Sequence, residues 1–374
     1  VENWQRRQFF NGFGPETPSD PSDAGSASKR FFFEKSGACV IPNPMNERST
    51  AITLTDVARE AGVGESTVSR VLRNHGAVSA STRAKVEAVV AKLGYVPNRI
   101  AGTLASTGSR LVAIIIPSLS NIVFPDILTG VGPVLDTAGY QSVIGVSDYD
   151  SAREEALVAS MLAWRPAALI LAGLEHTAAA TTMLRASGIR VVEILDTDGV
   201  GLDLAVGYSN RDAGAASARF LVGRGYRNIG YVGGDFSRDV RAGKRYGGFV
   251  ETLREAGIAL AGQQLMPHPS SIESGKQGLA SLLAATELDA VYFSNDDMAI
   301  GGYFHAAAAG IAVPERLALI GHNGLDVARF APQALTTILT PRRRIGAEAA
   351  RLLLSDAPPG VHDLGFELME GATA

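Results

Sequence analysis

The sequence predicts a small all-α helix-turn-helix domain followed by an α/β body made of two Rossmann-like subdomains with a cleft between them. Helical spacings broken by glycines run through residues 53–93, and beyond Arg110 the rhythm changes to apolar strands alternating with amphipathic helices. That alternation lasts for more than 250 residues, more than a single doubly wound sheet needs. The 374-residue chain is 46% hydrophobic and 19% charged, so it can bury real cores in two or three domains, and global disorder is excluded.

Taken in chain order, residues 1–50 read as a disordered or non-native extension. Asn11 to Ser28 is dominated by Gly, Pro, Ser and Asp and has no structural period. The aromatic runs Phe9-Phe10 and Phe31-Phe32-Phe33 leave two readings open, a short docking segment or an upstream extension without a function. The chain begins without Met and first becomes patterned near Thr53, which is consistent with a misplaced start. The helical domain is placed at 51–97. Thr53-Leu54-Thr55-Asp56 is a capping-box-like start, with a hydroxyl at the cap and an acid three residues on. Val57, Ala58 and Ala61 make the apolar face, Gly62-Val63-Gly64 forces a turn, and Val68, Val71 and Leu72 resume helical spacing. Ser79 can cap a third helix carrying Val86, Val89, Val90 and Leu93, with Gly94 ending it and Pro97 blocking continuation. Two short helices joined by a glycine turn and closed by a third form a helix-turn-helix domain.

In the body, strands are expected at Leu111–Ile116, Gln141–Val146, Ala167–Leu171, Val191–Leu195, Asn228–Val232, Ala290–Phe293 and Leu317–Ile320. Helices between them include Arg211–Arg224, Arg245–Ala256 and Met298–Ala309. A dinucleotide site would want G-x-G-x-x-G after the first strand, but Ile116 is followed by Pro117-Ser118-Leu119-Ser120-Asn121. The fragment Gly230-x-x-Gly233-Gly234 is read as turn chemistry.

Several function classes drop out. One cysteine, Cys39, excludes an internal disulfide framework and a Cys-based zinc cluster. No apolar run approaches the ~18 residues of a membrane span, and Val1 to Arg7 does not lead into a secretion signal, so a cytoplasmic location and no membrane partner are expected. No G-x-S-x-G elbow occurs and the His/Asp spacing matches no metal motif, so the sequence implies neither an enzyme, a metal nor a cofactor. The net charge of −4 is uneven: residues 49–110 carry +4, residues 1–48 balance, and the remainder is −8. A basic module on an acidic body points to a nucleic-acid reader joined to a sensing or catalytic domain.

Thr53-Leu-Thr-Asp-Val-Ala-Arg-Glu-Ala-Gly-Val63, followed by Ser66-Thr67-Val68-Ser69-Arg70-Val71-Leu72, resembles the DNA-binding domain of the lactose-repressor (LacI/GalR) family. Leu93-Gly-Tyr-Val-Pro-Asn-Arg-Ile-Ala101 with Leu104-Ala105 is similar to that family's linker and hinge helix. Ser118 to Phe124 and Ser294-Asn-Asp-Asp-Met-Ala-Ile-Gly301 match its effector-binding core. The resemblance runs from about residue 50 to the end. Within the family the chain looks most like the gluconate-operon repressors, through Leu72-Arg73-Asn74, Ser118-Leu-Ser-Asn121, Glu175-His176-Thr177, Val191-Val192-Glu193 with Asp196, and Ala205 to Asn210.

The resemblance implies a periplasmic-binding-protein-like body at 111–374, a hinge helix and linker at 98–110, and a homodimer on a near-palindromic double-stranded DNA operator. Glu65, Ser66 and Arg70 occupy the family's base-reading positions; Glu65 can equally be a negative charge stabilising a helix N-terminus. Thr53, Thr67, Ser69, Ser79 and Thr82 match phosphate contacts, and each can also be a cap or a solvated hydroxyl. Asn98, Ala101 and Leu104 belong to the hinge helix, with Leu104 the wedge candidate for the minor groove. Phe124, Arg241, Arg245, Asn295, Asp297 and Asn323 match or adjoin the effector cleft, and His176 and Glu193 tilt the reading towards a sugar acid. A buried Glu193 would need a partner, Arg241 or Arg245, and His176 can equally sit in a surface loop. Asp296 is read as a helix cap. The function implied is a repressor released by a sugar acid such as gluconate. Another sugar or a corepressor stays open within the family, as does a transport receptor sharing the two-lobed core.

Overall fold

The computed structural model describes residues 52–72, 78–96, 109–267 and 269–374, in two units divided after Pro97. The first unit holds α1 (Leu54–Ala61), α2 (Glu65–Leu72) and α3 (Ala80–Leu93). Its local grammar is the one expected. The Thr53 side chain accepts from the Asp56 N–H, and the Asp56 carboxylate accepts from the Thr53 N–H at 2.9 Å. Gly62 turns the chain at φ 61°, a conformation that costs a side chain but not glycine. Ser79 caps α3. Val57, Ala58, Ala61, Val68, Val71 and Val86 close a small core in which each helix buries one face.

The second unit opens with β1 (Leu111–Ile116), α4 (Val123–Thr137), β2 (Gln141–Val146), α5 (Ser151–Ala163), β3 (Ala168–Ala172), α6 (Ala178–Ser187), β4 (Arg190–Ile194) and β5 (Leu204–Gly207). It continues with α7 (Asn210–Gly223), β6 (Ile229–Gly234), α8 (Val240–Glu255), β7 (Gly262–Met266), α9 (Ile272–Ala285), β8 (Ala290–Phe293), α10 (Asp296–Ala308), β9 (Ala318–Asn323), α11 (Asp326–Arg329) and β10 (Thr336–Leu339). Last come α12 (Arg342–Leu353), β11 (Gly360–Asp363) and β12 (Glu367–Met369).

These strands form two six-stranded sheets, ordered β11-β5-β4-β3-β1-β2 and β12-β10-β9-β8-β6-β7. The first sheet is wholly parallel; in the second only β12 runs antiparallel, against β10. Both faces of each sheet are covered, as parallel sheets require. On β1, Val112, Ile114 and Ile116 enter one core while Ala113 and Ile115 enter the other. Each sheet with its helices is a lobe, and the chain crosses between lobes three times: after β5, between β10 and α12, and between β11 and β12. No helix among the described residues is long and apolar enough to cross a membrane.

The structure corrects some boundaries. Gly230, Gly233 and Gly234 lie inside β6, not in a turn. β5, β7, β10, β11 and β12 were not foreseen, because they are three to five residues long and, in β7, β10 and β11, mix polar residues or glycine into the run.

One close approach fixes the position of the helix that carries the site. α7 and α8 cross where Gly214 meets the Arg245 carbonyl and Gly248 meets the Arg211 carbonyl; a Cβ on Gly248 would stand 2.0 Å from that oxygen. Gly248→Ala must therefore push the helices apart. The expected loss is about 1–3 kcal/mol or more, read from the urea midpoint of the sensor transition; an unchanged midpoint would show that the crossing has slack.

Candidate functional site

The carboxyl ends of the strands in both lobes carry unusual backbone. Asp148 and Tyr149 after β2, Leu195 after β4 and Asn323 at the end of β9 all have positive φ, at 53°, 57°, 72° and 114°. Non-glycine residues adopt this only where surrounding packing holds them, and such strain gathers at functional sites. Ligands of open α/β sheets bind at these same ends.

α8 aims Arg241, Lys244 and Arg245 from one face, as its i, i+3, i+4 spacing dictates. Arg245 is buried; one terminal N–H donates to Asn210 Oδ1 at 2.8 Å and another to the Ser294 carbonyl at 3.3 Å. Its Nε has no protein partner. Arg241, also buried, lies over the Phe124 ring at 5.6 Å and 3.9 Å from Asp239, with one terminal nitrogen unpartnered. Phe124 belongs to the first lobe and Arg241 to the second, so this contact spans the cleft. Tyr149 packs edge-on to Phe124, and burial with the nearby Asp239 charge pushes its hydroxyl up to about 12, so it stays a neutral donor. His322 on β9 is held neutral, its pKa well below the usual value because of burial and the charges of Arg245 and Arg342. Its Nε2 meets the Tyr208 hydroxyl at 2.9 Å across the lobes, and its Nδ1 is unpartnered. A buried polar group left unmatched costs about 1–3 kcal/mol. Two of the three unpartnered nitrogens belong to guanidiniums, which only donate; the third, on neutral His322, donates or accepts according to its tautomer.

Lys244 supplies a third contact between lobes. Its ammonium lies 2.5 Å from Asp196 and 2.6 Å from Glu175, both in the first lobe, and donates to the Asp198 carbonyl at 3.3 Å. Burial alone would lower its pKa, but the two carboxylates outweigh burial and raise it. Asp196 is fully buried, so parting the lobes here would strip it of its cation.

The other residues singled out from the sequence divide. Asn295 is buried at the end of β8, and its side chain caps α10 by accepting from the Met298 N–H at 3.0 Å. The cap is therefore Asn295 and not Asp296. Asp296 is buried and accepts from the Leu325 N–H at 2.7 Å and the Thr337 hydroxyl at 2.6 Å; burial raises its pKa to about 6 despite those bonds. Asp297 is half-buried, its pKa raised by burial, and Asn323 closes β9. His176 and Glu193 do not join this group. The His176 side chain is only 1% exposed, with Nδ1 2.6 Å from Glu154 and Nε2 3.2 Å from Glu193. The other Glu193 oxygen accepts from the Leu202 N–H at 2.5 Å. Glu193 thus pairs with His176 and not with Arg241 or Arg245, and His176, on the loop before α6, turns its side chain into the interior.

Tyr149, Tyr208, Lys244 and His322 were missed as site residues. Lys244 stands just before the helix expected from Arg245 and joins the face of Arg241 only because α8 starts at Val240; His322 stands beside Asn323 at a strand end.

In the helical unit, Glu65, Ser66 and Arg70 are exposed on α2, while Thr67 and Ser69 are half-buried. Glu65 is the acid of the first turn, and its carboxylate accepts from the Thr55 hydroxyl of α1 at 2.7 Å. Thr53 and Ser79 are caps, and the Thr82 hydroxyl lies 2.8 Å from that of Ser79. Asn98, Ala101 and Leu104 lie outside the described residues, as does the stretch 1–51.

Comparison with known proteins agrees with this fold. The family described as bacterial regulatory proteins, lacI family, matches residues 53–98, and a periplasmic binding protein-like domain matches residues 218–372. The HTH-type transcriptional regulator GntR of Pseudomonas aeruginosa is 39% identical over 339 residues, 88% of this chain and 98% of that protein. A LacI-family transcriptional regulator from Silicibacter pomeroyi superimposes with a TM-score of 0.82 at 42% identity, over 86% of this chain and 99% of its own. The lac repressor dimer bound to operator and the anti-inducer ONPF gives 0.74 at 26% identity, over 86% and 98%.

Proposed function

Because the chain belongs to the lacI family of bacterial regulatory proteins, we propose that it is a cytoplasmic repressor released from a near-palindromic operator when a sugar acid binds between its lobes. It is a DNA-binding transcription regulator, as its relatives are, and not an enzyme. The observation that carries the sugar-acid reading is the pair of buried, partly unpartnered guanidiniums, Arg241 and Arg245. A carboxylate is the ligand group that satisfies a guanidinium fork, and Asn295, Asp297 and Asn323 at the strand ends suit the hydroxyls of a polyhydroxy acid. The likeness to gluconate-operon repressors points to the same chemistry.

In this reading two chains make a dimer, each α2 enters the major groove, and Glu65, Ser66 and Arg70 face base edges while Thr53, Thr67, Ser69, Ser79 and Thr82 lie towards phosphates. Asn98, Ala101 and Leu104 form the hinge helix, with Leu104 opening a central base step. An effector that binds one lobe arrangement better than another shifts the population towards it, and a coupling of about 1–3 kcal/mol would weaken operator binding 5- to 150-fold.

Calorimetric titration with D-gluconate, other aldonates, uronates and neutral sugars tests this. Binding of gluconate in the micromolar to millimolar range, followed by release from operator DNA, is the expected result. Preference for a neutral sugar would overturn the sugar-acid reading, and tighter operator binding with ligand would make the ligand a corepressor.

A further inference from the structure

We propose that Thr55 is a specificity-determining residue that acts through Glu65: its hydroxyl holds one carboxylate oxygen and aims the other at a base carrying an exocyclic amino group, cytosine or adenine. This rests on the reading of α2 as the helix that enters the major groove. Glu65 is the first residue of α2 and is exposed, where the end of such a helix meets base edges. Thr55 sits on α1, ten residues earlier, and its Oγ donates to Glu65 Oε1 at 2.7 Å. The hydroxyl has no part in closing its own helix, since the capping box there is made by Thr53 and Asp56. What the bond does is fix a side chain that would otherwise sample many rotamers.

The chemistry of an ionised carboxylate sets the preference. It accepts hydrogen bonds and donates none. In the major groove the donors are N4 of cytosine and N6 of adenine, whereas guanine and thymine turn O6, N7 or O4 outward and repel it. With Oε1 taken by Thr55, Oε2 is left for the base. A negative charge at a DNA surface is also disfavoured unless it meets a donor, so the pair rejects wrong bases as well as choosing right ones. Arg70, exposed on the same helix, suits guanine. Each half-site should therefore join a cytosine or adenine opposite Glu65 to a guanine opposite Arg70.

The test uses the full chain. Binding sites are selected from random DNA by the wild type and by Glu65→Gln, and the position whose preference changes is the base facing Glu65. Affinities at one salt concentration are then measured for all four bases there. The wild type is expected to prefer cytosine or adenine over guanine and thymine by about 5- to 150-fold. Thr55→Val should lose most of that ratio while keeping its melting temperature and its affinity for random DNA, and Thr55→Ser should restore it. A full ratio in Thr55→Val, or guanine or thymine as the preferred base, overturns the proposal. A wild type that selects no sequence at all overturns the operator reading beneath it, and the proposal with it.

Discussion

Arg245→Ala is expected to abolish the response to effector while leaving operator binding without effector largely intact. The guanidinium is buried and already oriented by Asn210 and the Ser294 carbonyl, so a ligand anion meets a donor that needs no reorganisation. Truncating one member of a buried, hydrogen-bonded charge pair costs about 2–5 kcal/mol of binding, between some thirtyfold and several thousandfold in affinity. Arg245→Lys should recover only part of it, because an ammonium keeps the charge but not the planar fork. Calorimetry of both variants, with a melting curve for each, reads the result. Effector binding at wild-type strength in the alanine variant would show that Arg245 holds the Asn210 crossover alone.

His176→Leu is expected to destabilise the first lobe by about 3–5 kcal/mol, the usual cost of leaving a buried charge without its partner. The charge is that of Glu193, fully buried on β4. Burial pulls the His176 pKa down, yet the bonds and charges of Glu154 and Glu193 overcome this and lift it to about 9. A pKa raised on folding contributes stability that is complete below the unfolded value of about 6.5 and is lost as pH rises through about 9. The wild type should therefore lose about 3 kcal/mol between those limits. His176→Leu should show a flatter profile over that window in urea unfolding. An identical slope in both proteins would mean that the proton is carried elsewhere. Glu175, the residue before His176, reaches across to Lys244.

What the sequence could show was local. The capping box at Thr53, the turns at Gly62 and Gly94, the cap at Ser79 and the run Leu111–Ile116 are written in neighbouring residues, and each took the form expected. The helix expected from Arg245 starts in the structure at Val240, and only that earlier start puts Arg241 on the face of Arg245. The apolar runs before Asn295 and Asn323 put both at strand ends, where they are found, while Phe124, singled out by the family resemblance, lies in the first turn of α4. Short strands such as β10 and β12 were illegible, since three or four residues carry too little pattern and become strands only when a neighbour supplies hydrogen bonds.

The partners of the charged groups were the other unreadable part. Glu193 needed a cation, and nothing along the chain distinguished His176 from the arginines of α8; the choice was made by which side of β4 the carboxylate faces. Asp296 looked like a cap from its place before a helix, but Asn295 took that role and the fold turned Asp296 inward to Leu325 and Thr337. Lys244 found Asp196 and Glu175 only because the first crossing between lobes sets α8 opposite the ends of β3 and β4. The sequence by itself determined the three helices of the first unit, the strands with strong apolar runs and the family. The tertiary structure alone decided which charges are paired and which stay open to a ligand, because those pairings join residues tens of positions apart and depend on the faces that packing brings together.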